Sequence, residues 1–214
     1  MRQRGVIAAL AVATIAAGCS VTAGSGPVRI ETRQVSGFSV VRLAGQGDVR
    51  ISEGPTESLT VAAQDNLLPI LTSEVADQTL TLGTKDNTVI TASEPITYTV
   101  TVQDLRGIEI SGSGTATATA VTVPSLRVEI SGSGTVTVDG TADQQDVVLS
   151  GSGDYRAGSL ASKDAHVTVS GSGTGDVAVS DTLDVTITGS GSLTYAGSPK
   201  VTQDITGSGS VSRR

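Results

Sequence analysis

Five carboxylates stand beside a repeated glycine-rich sequence word and are the residues best placed for catalysis. They are Asp48, Glu109, Glu129, Asp154 and Asp176. Glycoside hydrolysis needs two carboxyl groups at a defined separation, and Glu109 and Glu129 stand two residues before successive copies of the word. If the copies stack as neighbouring strands, these two side chains point outward about 4.8 Å apart. Val148 and Thr168 interrupt the ladder and Arg127 offers Glu129 a counter-charge, so no catalytic site is predicted.

Metal chemistry finds little support in the composition. The chain has one Cys and one His, which cannot form a zinc site or a Cys/His catalytic pair. A row of calcium sites needs a regularly placed Asp in the repeats, but only Asp48 and Asp154 directly follow a word copy. His166 stands at an outward position and is expected to be solvated. We therefore predict no metal and no cofactor.

Composition also limits the possible partners. With three Tyr, one Phe, no Trp and a net charge of −7, the chain lacks the aromatic platforms and the basic surface that bind nucleic acid. Its outward Ser and Thr residues offer a hydroxyl-rich face instead. We expect a glycan or protein ligand on the outer face, and no nucleic acid.

The first 18 residues predict an export signal. A basic start is followed by an apolar run over residues 6–17 and by small residues before Cys19. This end resembles a bacterial lipoprotein signal, which implies that Cys19 is lipidated and holds the exported protein at the envelope membrane. The alternative is an ordinary signal peptide with a chance Cys. Residues 19–32 then predict the lipidated Cys and a flexible tether.

A four-residue word, Ser/Thr-Gly-Ser-Gly, organises the rest of the chain. It begins at residues 111, 131, 150, 170, 188 and 206, and a weaker copy is Ala44-Gly-Gln-Gly47. Aliphatic residues alternate with polar ones on both sides of each copy, which predicts strands with one buried face. We predict that each word is a corner, where glycine supplies a positive φ or permits close approach. The corner glycines are Gly112, Gly114, Gly132, Gly134, Gly151, Gly153, Gly171, Gly173, Gly189, Gly191, Gly207 and Gly209.

Short strands and corners with a period near 20 residues predict a solenoid whose coils stack to bury a shared core. Residues 33–214 are therefore predicted to form an all-β, right-handed parallel β-helix with coils of about 20 residues. The gap between residues 44 and 111 leaves room for about three less regular coils. A disordered Gly/Ser-rich chain and an antiparallel sandwich are the alternatives. The in-phase aliphatic residues count against both.

Three segments carry a family resemblance. Residues 35–51 and 59–69, followed by Thr79-Leu-Thr-Leu-Gly83, resemble the bacterial "putative auto-transporter adhesin, head GIN" domain family. The resemblance implies a right-handed parallel β-helix at the cell surface or in the periplasm, often lipid-anchored, with no known reaction. We expect a non-catalytic, lipid-anchored adhesion or envelope-binding module. A polysaccharide-acting β-helix enzyme and a purely structural envelope protein are the alternatives.

Overall fold

The structure is a computed structural model that describes residues 20–86 and 88–214, and within them it contains strands and no helix. The strands are β1 (Ser20–Ala23), β2 (Val28–Arg33), β3 (Val40–Gly45), β4 (Asp48–Glu53), β5 (Ser58–Gln64), β6 (Leu71–Ala76), β7 (Thr79–Thr84), β8 (Thr88–Thr91), β9 (Thr97–Val102), β10 (Gly107–Gly112), β11 (Thr115–Gly132), β12 (Thr135–Gly151), β13 (Asp154–Gly171), β14 (Thr174–Gly189), β15 (Ser192–Gly197), β16 (Lys200–Gly207) and β17 (Ser210–Arg213). A search of these residues for a helix able to cross a membrane finds none.

From β10 onward the chain winds as a parallel solenoid. Strand β10 pairs with β11, β11 with β12, β12 with β13 and β13 with β14, all in parallel. The word copies lie in register, because Gly112 pairs with Gly132, Gly132 with Gly151 and Gly151 with Gly171. The predicted all-β solenoid with coils of about 20 residues is confirmed, and it makes about 5 turns.

Aliphatic ladders fill the inside of the solenoid. One of them consists of Ile110, Ile130, Leu149, Val169 and Ile187, which pair in register from coil to coil. Each of these side chains is at most 1% exposed. Burying such a side chain contributes about 1.5–3 kcal/mol relative to leaving it exposed. Each residue is covered only when the next coil lies on it, so the stability of a coil depends on its neighbours.

The segment between the weak word copy and the first full copy differs from the predicted series of coils. Gly45 pairs with Gly112 and Asp48 with Thr115, so the coil of β3 and β4 lies directly on the coil of β10 and β11. On its other side, β3 pairs in parallel with β7 and β4 with β9. Strands β6 and β5 then pair antiparallel with β7 and β9. Residues 54–106 therefore form a cap on the N-terminal end, and the prediction of three intervening coils is wrong.

A tight reversal between β6 and β7 explains this path. Asp77 and Gln78 adopt positive φ angles of 48° and 60°, as in the two-residue turns that join antiparallel strands. The turn brings β7 back along β6, and β7 then stacks on β3 with Leu80 and Leu82 fully buried. The cap thus covers the end of the core with apolar residues of its own.

Part of the predicted tether also belongs to the fold. Strand β2 pairs antiparallel with β5, and β1 pairs in parallel with β8. Arg33 fixes the end of β2, because its guanidinium donates hydrogen bonds to the carbonyl oxygens of Leu68 and Leu71, each at 2.8 Å. Residues 20–23 and 28–32 are therefore strands, in contrast to the flexible segment that was expected. The predicted signal peptide and Cys19 lie outside the described residues.

Candidate functional site

The two glycines of each word meet two different requirements. The first glycine takes a positive φ, for example +127° at Gly132, where a residue with a Cβ atom is strained. In the six full copies the second glycine faces inward without such a φ. A Cβ added to Gly134 would lie 2.5 Å from Ile110 Cγ2 and 2.8 Å from the carbonyl oxygen of Gly114. The words thus lie at the breaks between strands, stacked as one column along the solenoid.

A second bend in the coil was not predicted from the sequence. Ala120, Gly140 and Gly197 adopt positive φ angles of 56°, 127° and 102°. The strand register shifts near this bend, between residues 118 and 121 of β11. Asp139 stabilises the unusual conformation of Ala120 by accepting a hydrogen bond from its backbone N–H at 2.7 Å. Glycine does not occupy this bend in every coil, so no repeated glycine marks the bend in the sequence.

The predicted outward carboxylate ladder exists, but arginines neutralise it. Glu109 pairs in register with Glu129. The Nε atom of Arg42 lies 2.6 Å from Glu109 Oε2, and Arg127 lies 3.7 Å from Glu129 and 2.5 Å from Asp146. These pairs are solvent-exposed and add little stability. They leave the two glutamates as members of a charge network, with no unengaged pair for general acid and base chemistry.

The remaining carboxylates of the sequence prediction are also engaged. Thr115 Oγ1 donates a hydrogen bond to Asp48 at 2.5 Å, and Thr174 donates one to Asp154 from the next coil. Asp176 pairs with Arg214 at 3.0 Å through Oδ2, while its Oδ1 is buried and has no hydrogen-bond partner among the described residues. Residues 20–86 and 88–214 contain no group of three His, Cys, Asp or Glu side chains placed to hold a metal ion.

His166 is exposed, as the alternating pattern predicts. It lies in register between Asp146 on one neighbouring coil and Asp184 on the other. The column is charged and solvated, and it continues to the exposed Thr202 on the last coil.

An open groove of about 590 Å³ lies beyond the second bend. Its lining residues are Thr122, Val123, Pro124, Thr141, Ala142, Asp143, Ala161, Ser162, Lys163 and Ser180. It adjoins a second hollow of about 360 Å³, which shares Ala161, Ser162 and Ser180 and extends to Ala196 and Gly197. We call the two hollows together the lateral groove. It runs lengthwise across the coils, because Thr141, Ala161, Ala178 and Ala196 pair in register from one coil to the next.

Short side chains make the floor of the lateral groove, and one ion pair marks its rim. The ammonium group of Lys163 lies 2.7 Å from Asp143 Oδ1. The hydrogen bond to Asp143 is the main reason why the pKa of Lys163 is raised above its ordinary value. The amine therefore keeps its charge at neutral pH, and the rim presents one cation and one anion on neighbouring coils.

A buried chain of hydrogen bonds supports the groove from below. The hydroxyl of Tyr155 donates to Gln145 Oε1 at 2.8 Å, and Gln145 Nε2 donates to Ser162 Oγ at 2.8 Å. Ser162 in turn donates to the carbonyl oxygen of Ala178 at 3.0 Å. Burial raises the pKa of Tyr155 well above its ordinary range, so the hydroxyl remains a donor. Each polar side-chain atom of this buried network has a hydrogen-bond partner, and such a network holds its members in one arrangement.

The sequence prediction missed this network. Gln145 stands in register with Leu126 and Ala165 and is fully buried. A glutamine in an inward position between two apolar residues was the available signal. The polar groups of this network are used within the protein. A ligand in the lateral groove can therefore make van der Waals contacts with the floor and hydrogen bonds with the serine and threonine hydroxyl groups that line it.

Comparison with known proteins supplies a family. The sequence profile of the family described as "Putative auto-transporter adhesin, head GIN domain" matches residues 37–199. No curated protein matches the chain.

Several solved structures share the fold. A "putative adhesin" from Bacteroides fragilis NCTC 9343 has a TM-score of 0.75 at 21% identity, over 90% of this chain and 99% of that chain. A "putative adhesin" from Parabacteroides distasonis ATCC 8503 has a TM-score of 0.59 at 20% identity, over 91% and 100% of the two chains. A "putative lipid binding protein" from the same organism has a TM-score of 0.60 at 20% identity, with the same coverage. At this level of identity the likeness shows the fold alone.

Proposed function

The chain belongs to the "putative auto-transporter adhesin, head GIN domain" family, and on this premise we propose that it is a non-catalytic, lipid-anchored surface protein that acts in adhesion or envelope binding. The family and the adhesin-like structural neighbours support an exported, adhesion-type surface module.

The lateral groove is the observation that carries the binding role. It is long, open and continuous across successive coils, and its floor consists of short side chains such as Ala161 and Ala178. Successive coils stand about 4.8 Å apart, so an extended polymer lying along the groove meets a similar set of groups at each step. A glycan strand or an extended peptide segment has this shape.

The arrangement of the carboxylates supports a role without catalysis. Each carboxylate named in the sequence prediction is engaged by an arginine or by a threonine of a neighbouring coil. The lateral groove carries one carboxylate, Asp143, and that one is paired with Lys163. Glycoside hydrolysis requires two carboxyl groups that flank the same bond.

The position of Cys19 supports anchoring through the capped end. Cys19 directly precedes Ser20, the first residue of β1. Because β1 pairs with β8 of the cap, a lipid on Cys19 would hold the N-terminal end against the membrane and leave the coils projecting outward. Val21 and Val89, which pair with each other, are 70% and 51% exposed on this side.

A binding screen of the full chain tests the proposal. The purified protein would be titrated against peptidoglycan, cell-wall glycans and host matrix proteins, with binding measured by co-sedimentation and surface plasmon resonance. We expect saturable binding to one class. The variant Ala161→Trp places a bulky side chain where the two hollows meet and should abolish that binding. His166→Trp, at an exposed position on the same strand but outside the groove, should bind like the unmodified protein.

Three results would contradict the proposal. Absence of binding to every class would favour a purely structural envelope protein. Equal loss of binding in both tryptophan variants would show that the lateral groove is not the binding site. Release of reducing sugar from any glycan tested would show an enzyme.

A further inference from the structure

The two ends of the solenoid are finished differently. At the N-terminal end the cap covers the core with buried residues of its own, among them Leu80 and Leu82. At the other end, strands β16 and β17 pair only with β14 and β15 within the described part of the chain. We call the surface formed by β16 and β17 the open end.

Core residues lose their cover at the open end. Val201, Ile205 and Val211 point toward the core and pack against it, yet they are only partly buried. Their counterparts one coil earlier are Leu183, Ile187 and Leu193, which are 0% exposed. An open strand edge with apolar residues behind it is a surface on which another strand can pair.

The C-terminal arginines do not shield this edge. Arg214 turns back along the solenoid to Asp176 and to the carbonyl oxygen of Gly158, at 3.0 and 2.9 Å. Arg213 donates a hydrogen bond to Ser198 at 2.8 Å. The positive charge of Arg214, which would repel a second copy, is thus drawn back along the solenoid, and Arg213 is engaged within the last coil.

The outward row of β16 is complementary to itself. In an antiparallel pairing of two β16 strands centred on Thr202, Lys200 of each copy stands opposite the partner's Asp204. The contact therefore contains two opposite-charge pairs, and the core-facing row sets Val201 against the partner's Gln203. Lys200 and Asp204 are both exposed, and neither makes an ion pair with any residue of 20–86 or 88–214. Opposite charges directly across an antiparallel pair stabilise it, and like charges destabilise it.

We propose that the open end binds the open end of a second copy of this chain, through antiparallel pairing of the two β16 strands about a two-fold axis at Thr202. Such a contact is isologous and closes at a dimer. If the chain is anchored through Cys19 at the capped end, which rests on the proposed function, the dimer joins two anchored solenoids tip to tip. The pairing itself does not depend on the anchor.

Charge exchange tests the pairing and its register. The full chain, purified in detergent, would be examined by sedimentation velocity over a range of concentrations. We expect a dimer for the unmodified protein. Lys200→Glu and Asp204→Lys each create two like-charge pairs and should each weaken the dimer at least about tenfold. An equimolar mixture of the two variants should recover the dimer, because in the mixed pair every charge again meets its opposite.

Recovery in the mixture is specific to this arrangement, and circular dichroism checks that both variants remain folded. A monomer for the unmodified protein at tens of micromolar would overturn the inference. Failure of the mixture to recover the dimer, or dimers of unchanged affinity in both single variants, would overturn it equally. Binding of envelope ligands through the lateral groove is measured separately. A monomeric unmodified protein with groove binding intact therefore rejects only this inference, and a dimer without groove binding rejects only the proposed function.

Discussion

Replacing Gly132 with Ala should destabilise the solenoid strongly, although it adds a single methyl group. The φ angle of Gly132 is +127°, and holding an alanine in this region costs on the order of 1–3 kcal/mol. The added Cβ would also lie 2.5 Å from the carbonyl oxygen and 3.1 Å from the backbone nitrogen of Gly112. These are backbone atoms of the preceding coil, which cannot rotate away. We therefore expect a loss of at least about 2 kcal/mol in the free energy of unfolding.

Urea unfolding followed by far-ultraviolet circular dichroism measures this loss, and a thermal scan should show a fall in Tm of about 4–8 °C for a protein of this size. Ser133→Ala is the matched control, because Ser133 is the exposed residue between the two glycines of the same word. Its free energy of unfolding should stay within about 0.5 kcal/mol of the original. If Gly132→Ala behaved like Ser133→Ala, the word would be an ordinary strand segment and the corner account would fail.

Three further substitutions probe the core and its polar chain. Ile130→Asp puts a carboxylate at a fully buried ladder position and should unfold the neighbouring coils; a Tm equal to that of the original would show that the residue does not face inward. Gln145→Leu removes the shared partner of Tyr155 and Ser162 and should cost about 1–3 kcal/mol in urea unfolding, whereas an unchanged midpoint would argue against the network. Burial raises the pKa of Tyr98 from 10.0 to about 12. The folded state then keeps a proton that the unfolded chain loses, so stability should fall as the pH rises from about 10 to 12, and Tyr98→Phe should reduce that fall in unfolding curves taken at each pH.

The regular coils could be predicted from sequence because their pattern is strictly local. Each word copy is flanked by aliphatic residues in the same phase, and residues such as Ile130 and Val169 can satisfy that phase only by facing a shared core. Equivalent residues recur every 18 to 20 positions, so the stacking direction follows from the repeat itself. The inward assignment made from this pattern agrees with the near-zero exposure of these residues.

The N-terminal cap could not be predicted in the same way because pairing there is non-local. Nothing in the sequence of β3 shows that its neighbours in space are β7 on one side and β10 on the other. The decisive local feature is the two-residue turn at Asp77 and Gln78. This pair lacks the glycine that usually marks such a turn, so the reversal that sends β7 back onto β3 left little trace in the sequence.

The lateral groove escaped prediction for a different reason. It forms beyond a bend at which Ala120, Gly140 and Gly197 adopt positive φ, and an alanine in that role carries no sequence signal. A hollow of this kind forms because the side chains that line it have little volume. The sequence shows alanines and serines at outward positions, but only the stacked coils bring Ala161, Ala178 and Ala196 into one continuous floor.

One distance tests most directly the stacking order on which the cap, the groove and the open end all depend. Spin labels at Gln46 and Ser208, in a Cys19→Ser background, mark the weak word copy and the last word copy. Direct stacking of the weak copy on the copy at residue 111 separates these sites by six coil steps, so double electron–electron resonance should give about 29 Å. A pair at Ser113 and Ser208, about 24 Å apart over five steps, calibrates the step. A distance near 43 Å for the first pair, as nine steps with three intervening coils would give, would contradict the account.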